Sequence, residues 1–89
     1  MNLRELSGHI GRNPEMQAVG SIRRCFYQSV MFADKLGVCA VTTTIIGCGP
    51  NEERAKEDLV LKIRGKVARV FDGLGAYKEF PVPKTLTVR

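Results

Sequence analysis

The feature that most constrains the fold is a run of β-branched residues followed directly by a glycine-rich turn and a helical pattern. Seven of the nine residues from Val38 to Ile46 are valine, threonine or isoleucine, whose branched Cβ atoms suit a pleated sheet better than a helix. The next four residues, Gly47 to Pro50, include two glycines and a proline. They indicate a turn, so the sequence predicts a strand, a turn and then a helix.

After that turn an apolar residue recurs at every fourth position, which predicts a long amphipathic helix with one face to bury. The stripe consists of Ala55, Leu59, Ile63, Val67 and Phe71. Gly65 lies within the same range, and glycine costs roughly 1 kcal/mol relative to alanine inside a helix. The helix is therefore expected to bend there or to be approached closely by a neighbouring element.

The start of this helix is marked by Gly49 as a cap and by Pro50, which suits a first helical position because no N–H donor is needed there. Acidic residues come first along it and basic residues later, an order that complements the helix dipole. Two ion pairs at four-residue spacing are predicted, Glu52 with Lys56 and Asp58 with Lys62.

The N-terminal residues predict a short helix that lies over one end of the core. Asn2 is its candidate N-cap, and Leu3, Leu6 and Ile10 fall on one side. Asn13-Pro14 is predicted to end it.

Residues 16–36 allow two interpretations. Apolar residues from Ile22 to Leu36 have helical spacing, with Gly37 as a C-terminal cap. Alternatively, the strand formers from Phe26 to Phe32 and a loop at 34–37 predict a β-hairpin with the β-branched run. The hairpin is favoured because placing Ala33 opposite Val38 gathers one strongly apolar face. A further strand in 16–22 would make a three-stranded antiparallel meander.

The C-terminal residues predict a turn at 72–75, a short extended piece at 76–80 and coil at 81–83. Residues 84–89 alternate polar and apolar, which is typical of an edge strand or of a tail that orders on a partner. We therefore expect a single compact domain at 1–80 and a tail or edge strand at 81–89. The predicted fold is α+β, with a two- or three-stranded antiparallel sheet packed against a long C-terminal helix in α-β-β-β-α order.

The composition limits the classes of protein to which this chain can belong. The 89 residues are 44% hydrophobic and 26% charged, as in a single soluble domain, and no apolar run is long enough for a membrane span or a signal peptide. Three cysteines and one histidine without metal-ligand spacing predict neither a metal or cofactor site nor a disulfide framework. Reduced, mostly buried thiols in a cytoplasmic protein are expected.

The formal charge of +5 is uneven: residues 1–49 carry +2, residues 50–59 carry −2 and residues 60–89 carry +5. A basic C-terminal third can attract phosphate or an acidic protein surface. Arg23 and Arg24 beside Tyr27 combine phosphate-binding groups with an aromatic ring that can stack on a base. The candidate binding residues are therefore Arg23, Arg24, Tyr27, Lys62, Arg64, Lys66, Arg69, Lys84 and Arg89.

The ten residues from Gly47 to Lys56 read Gly-Cys-Gly-Pro-Asn-Glu-Glu-Arg-Ala-Lys. They resemble the junction between the last strand and the final helix of double-stranded RNA-binding domains, where the family has Gly-x-Gly, a Ser-Lys-Lys cap and an Ala-Lys pair. The resemblance implies the family's fold order. It does not carry over the RNA-binding site, because Glu52 and Glu53 stand where the family has its phosphate-binding lysines.

Three functions are compatible with these features. The first is a non-enzymatic protein that binds nucleic acid or a nucleoprotein through the basic surface. The second is an inhibitor or adaptor of another protein, such as a phage or mobile-element accessory protein, with an open sheet edge that also allows a homodimer. The third, an enzyme using Cys39 or Cys48 with His9, is disfavoured because nothing in the spacing demands that they meet.

Overall fold

The computed structural model describes residues 1–11, 14–19, 23–28, 31–37, 39–71 and 73–89, and for 14–19 and 23–28 it describes the backbone alone. These residues form two helices and seven strands. In chain order they are α1 (Leu3–Ile10), β1 (Pro14–Val19), β2 (Arg23–Gln28), β3 (Met31–Ala33), β4 (Thr42–Thr43), β5 (Ile46–Gly49), α2 (Glu52–Ile63), β6 (Val67–Phe71) and β7 (Tyr77–Pro81).

The strands form two antiparallel sheets, one in the order β1-β2-β5 and one in the order β4-β3-β6-β7. The α+β class is therefore confirmed. The α-β-β-β-α order and the long C-terminal helix are not what the structure shows, because β6 and β7 follow α2 and complete the four-stranded sheet.

Helix α1 has the predicted cap and the predicted buried side. The Asn2 side chain accepts a hydrogen bond from the Glu5 backbone N–H at 2.8 Å. Leu3, Leu6 and Ile10 are buried. The helix ends at Gly11, whose φ of +67° and backbone N–H to the Ser7 carbonyl form a left-handed cap.

Helix α2 begins at Glu52 with Asn51 as its N-cap, so the prediction that Pro50 is the first helical residue was wrong. The Asn51 side chain accepts from the Arg54 N–H at 2.9 Å and does what was expected of Gly49. Both predicted ion pairs are present, Glu52 to Lys56 at 3.1 Å and Asp58 to Lys62 at 2.8 Å.

The predicted extension of this helix to Phe71 was also wrong, because α2 ends at Ile63. Gly65 has a φ of +74°, a conformation that an α-helix cannot include, and the chain turns there into β6. Ala55, Leu59 and Ile63 are fully buried as expected. Val67 is buried too, but it belongs to a strand.

The strand interpretation of residues 23–28 and 31–33 is confirmed over the helical one, whereas the predicted register was wrong. Ala33 pairs with Thr42 rather than Val38. The β-branched run is split, because β4 pairs with β3 in one sheet while β5 pairs with β2 in the other. The chain between β3 and β4 is thus longer than the predicted four-residue loop, and Gly37 and Ala40 within it are tied to β6 by Arg69, whose guanidinium donates to their carbonyls.

The glycines of β5 let α2 pack directly on the strand. A Cβ at Gly47 would lie 2.3 Å from the Ala55 carbonyl oxygen, and one at Gly49 would lie 2.7 Å from the Arg54 Cβ. No side chain fits at either distance. Gly47 and Gly49 lie within β5, so the prediction of a turn at 47–50 was wrong, and helix-to-strand contact explains the Gly-x-Gly spacing.

The C-terminal residues complete the core. Val82 and Leu86 are 3% and 0% exposed and pack in the same cluster as α1 and α2. The Thr87 N–H donates to the Met1 carbonyl at 3.0 Å, which joins the two ends of the chain. The segment after β7 is thus held by burial and by backbone hydrogen bonds.

Candidate functional site

The structure gives the predicted binding residues different surroundings. Arg23, Arg24 and Tyr27 lie in β2, where Arg24 is opposite Gly49 and Tyr27 is opposite Ile46, and their side chains are outside the described part. Lys62 contacts Asp58 and donates to the Ile46 carbonyl at 3.0 Å.

The other predicted cations of the C-terminal third are mostly engaged within the fold. Lys66 is paired with Asp34, and its ammonium lowers the pKa of that carboxyl through a hydrogen bond and charge attraction. Arg64 Nε donates to the Leu86 carbonyl at 2.8 Å, and Arg89 is 3.0 Å from Glu53. Lys84 is exposed. The structure therefore does not gather these residues into one free basic patch.

Arg69, another of the predicted binding residues, is buried, with only 4% of its surface exposed. Its guanidinium donates to the Gly37 and Ala40 carbonyls, lies 3.4 Å from the Glu79 carboxylate and sits 4.7 Å from the centre of the Tyr77 ring. Glu79 also accepts from the Gly37 N–H at 3.1 Å. These contacts hold Gly37 and Ala40 in place and cover one face of Tyr77, so Arg69 is not available to a ligand.

A groove of about 740 Å³ lies between the C-terminal end of α1 and the β6–β7 hairpin. We call it the hairpin groove. Gly8 to Gly11 form one wall, and Val70, Phe71 and residues 76–80 form the other. Its volume is in the range of about 300–1,000 Å³ that is typical of ligand clefts. Among the described strands β7 is the edge strand of its sheet, so the groove wall at 76–80 includes an edge strand.

Aromatic rings are concentrated along this groove. The His9 and Phe80 rings stack with centroids 4.6 Å apart and planes 15° apart. Phe71 and Tyr77, which are opposite each other in the β6–β7 register, have centroids 5.7 Å apart and planes tilted by 48°. Phe71 is 47% exposed. The groove therefore offers aromatic surface that is partly open to solvent.

One cation, Lys78, lines the hairpin groove, and a second, Arg4, lies earlier on α1. Lys78 is an exposed residue of the groove wall. Arg4 is exposed on α1 one helical turn before Gly8, and it is not itself part of the groove wall. Neither has an ion-pair partner among the residues whose side chains are described.

Sequence reasoning missed this site. Lys78, Arg4, Phe71 and Phe80 were not among the predicted binding residues, and His9 was considered only as a catalytic base. One local signal was available, because Phe71 and Tyr77 flank the predicted turn at 72–75. An aromatic residue at each end of a short turn in a hairpin places the two rings side by side.

The cysteines differ from the expectation of reduced, mostly buried thiols. Cys39 is free but exposed, and Cys48 is disulfide-bonded. Within the described residues no group of three or more His, Cys, Asp or Glu side chains is arranged to hold a metal ion. In the same part of the chain, neither helix has the length and apolar character needed to cross a membrane.

The chain matches no protein-family model, no curated protein and no solved structure.

Proposed function

We propose that the protein is a non-enzymatic binding protein that engages nucleic acid, alone or in a nucleoprotein, at the hairpin groove. The observation that carries the proposal is the combination of partly exposed aromatic rings with an exposed cation, Lys78, that the described fold does not neutralise. Nucleic-acid sites combine these two kinds of group, because cations hold the phosphates and rings contact the bases.

The charge of the whole chain supports the same ligand. A formal charge of +5 attracts a polyanion over distances of several ångströms, and the attraction weakens as salt screens it. The basic residues that are paired within the fold still contribute to this long-range field. The groove then supplies the short-range contacts.

An enzyme that uses Cys39 or Cys48 with His9 is the least favoured of the three hypotheses. Of the two thiols considered as nucleophiles, Cys48 is disulfide-bonded and is not available as a thiolate. His9 is stacked on Phe80, a position that a wall residue of a binding groove explains. A His9→Ala variant with altered oligonucleotide binding would agree with this assignment.

Fluorescence anisotropy with a labelled oligonucleotide tests the proposal. We expect binding at about 50 mM salt that falls steeply by about 200 mM, because the bound phosphates release counterions. Lys78→Ala should weaken binding at the lower salt. Lys56→Ala is the matched control, because it removes the same charge from a lysine that is paired with Glu52 at 3.1 Å on α2.

Two results would contradict the proposal. One is an absence of binding at the lower salt concentration. The other is an equal loss of affinity in Lys78→Ala and Lys56→Ala, which would show that net charge, rather than the groove, holds the ligand.

An inhibitor or adaptor of another protein, including a phage or mobile-element accessory protein, is the second candidate. The edge of β7, which pairs only with β6 among the described strands, favours it, because an open strand edge can accept a strand from a peptide or from a second copy of the chain. A partner that is retained from a lysate after nuclease treatment, or a dimer by sedimentation, would favour this candidate over nucleic acid.

The cytoplasmic location expected from the sequence stays a prediction, and the disulfide at Cys48 weighs against it because disulfides are rare in that compartment. Trapping the thiols at the moment of cell lysis measures whether this cysteine is oxidised in place.

A further inference from the structure

We infer that the hairpin groove recognises unpaired bases, so that its ligand is single-stranded rather than duplex nucleic acid. This inference rests on the nucleic-acid binding proposed above and specifies its substrate class. The supporting observations are the ring pair of Phe71 and Tyr77 and the contact of the Arg69 guanidinium with the Tyr77 ring.

Phe71 is the exposed member of the pair. It is the last residue of β6, lies opposite the first residue of β7, and leaves 47% of its surface open. Large aromatic side chains are usually buried far more than this, because exposing them forfeits hydrophobic stabilisation. A base stacked on Phe71 would cover that surface, and every base has a face that can do so.

Tyr77 is held in place before any ligand arrives. The Arg69 guanidinium lies over its ring at 4.7 Å, and Arg69 is itself fixed by the Gly37 and Ala40 carbonyls and by Glu79. A ring that is fixed on one side loses little conformational freedom on binding. The pair is therefore a pre-formed stacking surface.

The positions of the cation and the rings fit a single strand. Successive residues of a strand point to opposite faces, so Lys78 projects away from the face that carries Tyr77. A single-stranded nucleic acid that crosses the β7 edge can place a phosphate near Lys78 on one face of the hairpin while a base reaches Phe71 and Tyr77 on the other. A duplex keeps its bases stacked on one another and offers no base face to Phe71.

Competition among three labelled ligands of equal length tests the inference: a mixed-sequence single strand, its duplex and a single strand of abasic sites. We expect the first to bind more tightly than the other two at the same salt. Phe71→Leu should weaken binding of the first by roughly 5-fold or more, since a base–aromatic stack is worth about 5- to 150-fold in affinity. Phe71→Tyr keeps a ring and should retain binding.

The abasic strand separates stacking from charge. It carries the same phosphates, so Phe71→Leu should leave its affinity unchanged while Lys78→Ala weakens it. Tyr77→Leu and Tyr77→Phe are a second pair of variants, of which the first removes the ring and the second keeps it. Their thermal unfolding midpoints show whether a loss of binding reflects a loss of folding.

The outcomes distinguish the two proposals. Equal affinity for the single strand and the duplex, or equal losses for the base-bearing and abasic strands in Phe71→Leu, would overturn the inference and leave nucleic-acid binding in place. Failure of all three ligands to bind at about 50 mM salt would remove the proposed function and the inference together.

Discussion

Gly47 is where α2 comes closest to β5, and replacing it with alanine tests the packing most directly. A Cβ there would lie 2.3 Å from the Ala55 carbonyl oxygen and 2.4 Å from the Leu59 backbone nitrogen. Favourable contacts lie at about 3.5–4.0 Å. Because both atoms are helix backbone, neither can rotate away, and the helix must move off the strand by roughly 1 Å.

The cost follows from what the helix buries. Overpacking in a core costs about 1–3 kcal/mol, and Gly47→Ala belongs in the upper half of this range because α2 carries three fully buried side chains, Ala55, Leu59 and Ile63. The lower backbone entropy of alanine in the unfolded chain returns about 0.4–1 kcal/mol. A net loss of about 2 kcal/mol corresponds to a fall in the unfolding midpoint of roughly 8–16 °C for a domain of this size.

Thermal unfolding followed by circular dichroism measures this change. Gly8→Ala is the matched control, because its Cβ would meet no atom within 4 Å and the position is inside α1. It should raise stability by about 0.5–1 kcal/mol. A Gly47→Ala midpoint at or above that of the wild type would refute the close contact between α2 and β5.

Three further predictions use the same assay. Leu59→Ala should cost about 2–5 kcal/mol, since Leu59 is fully buried, and a small change would mean that α2 faces another way. Truncation after Phe80 should lower stability because it removes Leu86, which is 0% exposed; unchanged unfolding would instead favour a recognition tail. Asp34→Asn tests pH linkage: Lys66 holds the Asp34 pKa below 3.8, so the stability that this pair adds is present above 3.8 and lost as pH falls through the lower folded value. The wild type and the variant should therefore converge as the pH falls, and a gap that does not narrow in acid would contradict the assignment.

Features set by neighbouring residues could be predicted from the sequence. The Asn2 cap and the Glu52–Lys56 ion pair depend on three- and four-residue spacing within one helix, and both are present. The buried stripe of α2 follows from the same periodicity. Helical geometry fixes these contacts whatever the rest of the chain does.

The end of α2 and the register of the sheet could not be predicted in the same way. The four-residue apolar spacing continues from Ile63 to Val67 although the second residue belongs to β6, since a strand that packs on the same core also needs an apolar residue there. Gly65 was the one local signal of the break. The register of β3 and β4 depends on how the chain between them is held, and Arg69, from a distant part of the sequence, bonds to Gly37 and Ala40 there.

The binding site could not be predicted for the same reason. The sequence gives the number of charged residues, but it does not show which of them are paired within the fold. Lys66 and Arg69 look like surface cations in the sequence. In the fold, Lys66 is paired with Asp34 and Arg69 bonds to Gly37, each 32 residues away along the chain. Lys78 looks no different from these two, and it is exposed at a groove whose opposite wall comes from α1. A basic third of a chain therefore predicts attraction to a polyanion, whereas the place where the polyanion is held depends on which cations the fold leaves beside exposed rings.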